Sequence, residues 1–111
     1  MADLPPRLLP ELAEYARRLR DRFGARVRLV RLFGSYARGE ARADSDIDVA
    51  VVVDGLSVSE WREARRIAAD VAVDLGPEPL SPLVLSGEQY DELVRDERRL
   101  ARDIEQQGIA L

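Results

Sequence analysis

The residues Leu32-Phe33-Gly34-Ser35-Tyr36-Ala37-Arg38-Gly39, then Glu40 to Asp44, then Ser45-Asp46-Ile47-Asp48-Val49-Ala50-Val51-Val52-Val53, decide how this chain is read. An apolar strand runs into a Gly-Ser turn. A short helix carrying Arg38 follows, and a second apolar strand then bears two carboxylates at positions i and i+2. On a strand that spacing puts both acids on one face, about 6.6–6.8 Å apart along the chain. Two converging carboxylates beside a turn of phosphate size are what a magnesium–nucleotide site needs.

Each of these residues also has an ordinary structural reading. Gly34 permits close backbone approach, and the amides that follow it, with the Ser35 hydroxyl, suit a phosphate. A plain N-cap serine after a turn glycine would look the same. Asp46 could be a turn residue and Asp48 a solvated strand residue. The run Val49 to Val53 opposes this for Asp48, because it reads as buried and an unpaired buried carboxylate is costly. Arg38 lies one turn after Ser35, within reach of a phosphate as a bidentate partner. Arg42, in the loop, reads more simply as a surface arginine.

Gly34-Ser35, ten residues and Asp46-Ile47-Asp48 resemble the signature of the nucleotidyltransferase superfamily of DNA polymerase beta. The short length and the Gly34-Ser35-Tyr36-Ala37-Arg38-Gly39 wording are similar to its minimal nucleotidyltransferase (MNT) branch, whose members are often antitoxins encoded beside a helical HEPN-type partner. The resemblance implies a mixed sheet with the Asp pair near its centre. It implies Mg²⁺ and ATP, with AMP transferred to a hydroxyl acceptor on a partner toxin. It makes Asp46 and Asp48 the catalytic and metal-holding residues, and Gly34, Ser35 and Arg38 the nucleotide- and phosphate-binding ones. Catalytic members carry a further acid on a later strand. The corresponding stretch here, Pro79-Leu80-Ser81-Pro82-Leu83-Val84-Leu85, has none, and Glu78 and Asp74 are the nearby substitutes. The alternative is therefore a catalytically degenerate binding module that neutralises a toxin by docking. An aminoglycoside-modifying enzyme is a third reading, opposed by the short length.

The 111 residues are enough for one domain, expected to span 1–111. With 46% hydrophobic and 34% charged residues the composition is that of a globular protein. No apolar run approaches the roughly eighteen residues of a membrane span. Met1-Ala2-Asp3-Leu4-Pro5-Pro6 lacks a signal-peptide pattern, so a cytoplasmic location is expected. Cysteine, histidine and lysine are all missing, which excludes thiolates, imidazole bases, zinc–sulfur sites, Schiff bases and a P-loop lysine. What remains is carboxylate, hydroxyl, guanidinium and backbone, a set suited to a hard cation such as Mg²⁺. A net charge of −4 argues against constitutive binding of nucleic acid. Homo-oligomerisation is left open.

The remaining periodicities frame the site. A helix is predicted from Pro6 or Pro10 to Arg22, and a strand over Val27–Phe33 whose alternation is broken at Arg31. A short helix is expected from Ser35 to Arg38 or Gly39, and the second strand over Ile47–Val53. Capping boxes at Ser57-x-x-Glu60 and Ser86-x-x-Gln89 open two longer helices. The first carries the stripe Trp61, Ala64, Ala68, Val71, Ala72 and Leu75. The second runs from Tyr90 past Ile104 and ends near Gly108. Between them Leu80–Leu85 reads as a strand, put at an edge by Pro79 and Pro82. The fold expected is α/β (α+β): a small mixed three-stranded sheet covered by helices, with the relative direction of the first two strands undetermined.

Overall fold

The structure is a computed structural model that describes residues 5–42, 44–76, 78–96 and 98–111. After a 3-10 turn at Pro6–Leu8, helix α1 runs over Leu9–Phe23, followed by strands β1 (Val27–Phe33) and β2 (Ile47–Val53). Helix α2 (Val58–Leu75), strand β3 (Leu80–Ser86), helices α3 (Gly87–Asp96) and α4 (Arg98–Gln106) and strand β4 (Ile109–Ala110) complete the order. The sheet has four strands in the order β3-β2-β1-β4. The expected three are corrected to four by β4, two residues that pair antiparallel with Arg31 and Leu32. So short a strand leaves no periodicity to read.

Strand β2 lies inside the sheet, antiparallel to β1 and parallel to β3. Its apolar run is explained by burial on both faces. Val49, Val51 and Val53 join Leu12, Tyr15, Leu19, Ala64 and Val71 in a core under α1 and α2. Ala50 and Val52 join Tyr90 and Ile104 in a smaller core under α3 and α4. A slip of one residue would exchange these faces, so the two cores together fix the register.

The broken alternation of β1 has a local cause. Val27 pairs with Val53 but Leu29 pairs with Val52, so Arg28 is a bulged residue. The bulge puts Val27 on the α1/α2 face and Leu29 and Phe33 on the α3/α4 face. Arg31 is accommodated because its Nη1 donates to the carbonyls of Ile104, at 3.4 Å, and Glu105, at 3.1 Å, in the last turn of α4. A cation there also suits the negative end of the helix.

Both capping boxes form as read. The Ser57 hydroxyl accepts from the Glu60 amide while Glu60 accepts from the Ser57 amide, and Ser86 and Gln89 do the same. Two helix expectations are corrected. The segment after Gly34 is a turn and not a helix. The last helix is two helices, α3 and α4, with residue 97 outside the described residues. A straight helix would part residues 90 and 105 by about 22 Å, yet the Tyr90 hydroxyl donates to Glu105 Oε1 at 2.8 Å. The α2 stripe is buried only at Ala64, Ala68 and Val71. Trp61 is 36% exposed, and its Nε1 donates to the Val84 carbonyl at 3.1 Å. With Pro82, which has no N–H, it blunts the edge strand that the prolines foretold.

One buried acid is not explained by packing. Glu11, in the first turn of α1, is 2% exposed, and its Oε2 has no hydrogen-bond partner among the described residues. The carboxylate lies on the backbone of Gly76, where a Cβ would overlap it. Burial, and after it the charge of Glu78, raises its pKa above the ordinary 4.5. The folded chain therefore holds this proton more tightly than the unfolded chain. The resulting penalty is absent below the ordinary carboxylate pKa and grows as pH rises through the folded value. Glu11→Gln is expected to raise Tm at pH 7, with the gain shrinking toward pH 4. Asp48, raised in the same direction, is common to both proteins and cancels. Melting curves across that range check this, and a difference that does not vary with pH would contradict it.

Candidate functional site

The β1–β2 ladder brings the two halves of the motif together. Asp48, second residue of β2, is the cross-strand partner of Phe33, so Gly34 emerges beside its carboxylate. Gly34 has a φ of +75°, and a Cβ there would lie 2.5 Å from Asp48 Oδ2. Both the conformation and the close approach therefore demand glycine.

After Gly34 the chain makes a tight turn. The Arg38 amide donates to the Gly34 carbonyl at 3.1 Å and the Glu40 amide to the Ser35 carbonyl at 2.9 Å. Among the described residues the amides of Ser35, Tyr36 and Ala37 have no acceptor. Consecutive free amides of this kind form an anion-binding concavity without needing a helix. The side chains of Tyr36 and Ala37 anchor the turn in the α1/α2 core, which gives Tyr36 a packing role.

Asp46 is exposed just ahead of β2, and Asp48 is half-buried. Burial first, and then the neighbouring Asp46 charge, raises the pKa of Asp48, while the Arg38 guanidinium partly opposes this. Two carboxylates close enough to repel, one of them poorly solvated, form a site that a divalent cation would stabilise. The donor set is all oxygen, so Asp46 and Asp48 fit the ion that the resemblance implies.

Arg38 lies between Glu40, with Nε to Oε2 at 3.2 Å, and Asp103 of α4, with Nη1 to Oδ2 at 3.6 Å. It lines a groove of about 600 Å³ with Arg99, Arg102, Asp103 and Gln107. Asp103 and this α4 wall are not visible in the motif. The spacing of Arg99 and Asp103 at i and i+4 was the available signal, but it reads equally as a solvated helix face. Arg42 acts through its backbone: its amide donates to Ser45 Oγ at 2.7 Å, closing the loop before Asp46.

The substitutes for the further acid separate. Asp74 accepts from Arg18 Nη2 at 2.8 Å, on the α1 side. Glu78 shares a cleft with Asp44, Ser45, Asp46, Ile47 and Pro79, and accepts from Arg7 Nε at 2.7 Å. The β3 residue in register with Asp48 is Ser81.

The chain matches the nucleotidyltransferase domain family over residues 12–105. It is 52% identical over 40 residues to the protein adenylyltransferase MntA of Thermococcus cleftensis, an alignment covering 36% of this chain and 38% of that protein. It is 40% identical over 43 residues to a putative protein adenylyltransferase of Methanocaldococcus jannaschii, covering 39% and 43%. The match thus spans less than half the length of either curated relative. Among solved structures, a toxin–antitoxin with AMP-PNP aligns with TM-score 0.54 and 25% identity, over 86% of this chain and 68% of that one. A mutant MntA-HpeT toxin–antitoxin aligns with TM-score 0.53 and 26% identity over the same shares. With the Gly-Ser turn and the Asp pair together at one end of the inner strands of a mixed sheet, and the family match running from α1 to α4, this chain belongs to the nucleotidyltransferase domain family.

Proposed function

We propose that this chain works as one domain over residues 1–111, a Mg²⁺-dependent nucleotidyltransferase of the cytoplasm that moves AMP from ATP to a hydroxyl of a partner toxin. The observation that carries this reading is the contact between Gly34 and Asp48, which sets the free amides of the turn beside the carboxylate pair. Gly34 and Ser35 receive the phosphates, and Arg38 exchanges its carboxylate partners for a phosphate oxygen. Asp46 and Asp48 hold the magnesium ion. Once bound, the ion neutralises phosphate charge and polarises the phosphoryl group. The acceptor hydroxyl gives its proton to solvent as its oxygen bonds to the α-phosphorus and the bond to pyrophosphate breaks. The protein acceptor is drawn from the relatives named as adenylyltransferases, and the toxin from the MntA-HpeT likeness. A helical HEPN-type toxin is the partner we infer.

A second reading is supported by Ser81, which stands in register with Asp48 on the strand where the resemblance implies an acid. In that reading the chain binds nucleotide and neutralises the toxin by docking alone.

Calorimetry with Mg²⁺ and ATP tests the site. Asp48→Asn is expected to weaken binding at least about tenfold, or ~1.4 kcal/mol, while keeping the fold and, without metal, a Tm no lower than wild type. Equal affinities would remove Asp48 from the site. Gly34→Ala is expected to lose both binding and stability, because the added methyl meets the Asp48 carboxylate; unchanged binding would contradict the cradle. Intact-mass analysis of a candidate toxin incubated with this protein, Mg²⁺ and ATP separates the two readings. A gain of AMP that Asp46→Asn abolishes supports transfer. Neutralisation without a mass change, retained in Asp46→Asn, supports docking.

A further inference from the structure

We propose that the site is built for a single divalent cation, because Ser81 occupies the position from which a further carboxylate would complete a two-ion centre. This inference rests on the nucleotidyltransferase reading.

Its basis is which side chains share a face. Paired residues on adjacent strands project to the same side of a sheet. Asp48 pairs with Ser81 on β3 and with Phe33 on β1. Phe33, Ala50, Val52, Leu83 and Leu85 all belong to the core under α3 and α4. Asp48 and Ser81 therefore extend that row at the open end of the sheet, where Ser81 is exposed and Asp48 half-buried. The side chain standing next to Asp48 on β3 is a neutral hydroxyl.

Among the described residues no other acid stands beside Asp48 on β3. Glu78 borders the cleft of Asp44 and Asp46, but it lies before β3 and is not in register with Asp48. Its carboxylate is engaged by Arg7 at 2.7 Å. Asp74 is engaged by Arg18 at 2.8 Å. Asp103 and Glu40 flank Arg38. Among the described residues no group of three or more acids is placed to hold a metal ion. Two carboxylates balance the charge of one divalent ion. A second ion would sit about 3.5–4 Å from the first and, among the described residues, would find no third acid grouped with Asp46 and Asp48 to offset the repulsion.

The test counts ions on the full chain, with Mn²⁺ as the probe and a non-hydrolysable ATP analogue, by loss of the free Mn²⁺ paramagnetic signal. The expected count is one ion per chain–analogue complex for wild type and Ser81→Ala, rising to two for Ser81→Asp. Two ions on wild type would overturn the proposal and leave the nucleotide reading standing. No Mn²⁺–analogue complex on the wild-type chain would overturn both. Ser81→Asp folded by its melting curve but still binding one ion would show that position 81 does not decide the number. Because the wild-type count stands alone, the result does not depend on the variant folding.

Discussion

The backbone of Gly34 lies against the carboxylate of Asp48, and the candidate site depends on that contact. It exists because β1 and β2 pair with Phe33 opposite Asp48. The valines hold that register. Each fully buried valine contributes roughly 1.5–3 kcal/mol, and Val49, Val51, Val52 and Val53 are all completely buried. A slip of one residue would turn Asp48 into the α1/α2 core and the valines out of it. The cost of an unpaired carboxylate in hydrocarbon would then add to the lost burial. The proximity of Asp46 to Asp48 is thus imposed by the register that the core holds.

Arginine does the connecting that other chains share with lysine. Arg7 ties the Pro6–Leu8 turn to Glu78 at the entry of β3, and Arg38 ties the Gly34 turn to Asp103 of α4. Arg26 grips Glu60 through both guanidinium nitrogens at 2.8 Å and reaches the Asp54 and Gly55 carbonyls at the end of β2. Exposed pairs of this kind contribute little stability individually. Their geometric effect is larger, because a planar fork fixes direction as well as distance. Two such pairs, Arg7–Glu78 and Arg38–Asp103, border the candidate site.

Much of this was legible in the sequence where a pattern had one physical meaning. The unbroken apolar run of β2, both capping boxes and the proline-marked edge strand all formed where they were read. Features that depend on contacts distant in sequence were not legible. The bulge at Arg28 appears only once β1 meets β2. The fold-back of α4 onto α3 has no glycine or proline to announce it; the Tyr90–Glu105 hydrogen bond and the Arg31 contacts with the end of α4 become visible only in three dimensions. At the site, the Gly-Ser turn and the Asp pair were readable from spacing. Asp103, the α4 groove and the pairing of Asp48 with Ser81 were not, because register across a parallel crossover is set by packing and not by local sequence.

An acidic chain of net charge −4 is an unlikely host for a polyanion until the charges are located. Free amides at Ser35 to Ala37 and the arginines of the α4 groove make one side of the site positive. Asp46 and Asp48 make the other side negative. Such a divided site opposes a bare polyphosphate, which meets two carboxylates, and a cation bound alone leaves the amides and the Arg38 guanidinium without an anion. The two species arriving together satisfy both halves at once. On the proposed reading, the opposed charges of one small site favour metal-bound over bare nucleotide, and the negative charge of the chain as a whole, which repels bare polyphosphate more strongly than its metal complex, adds to that preference.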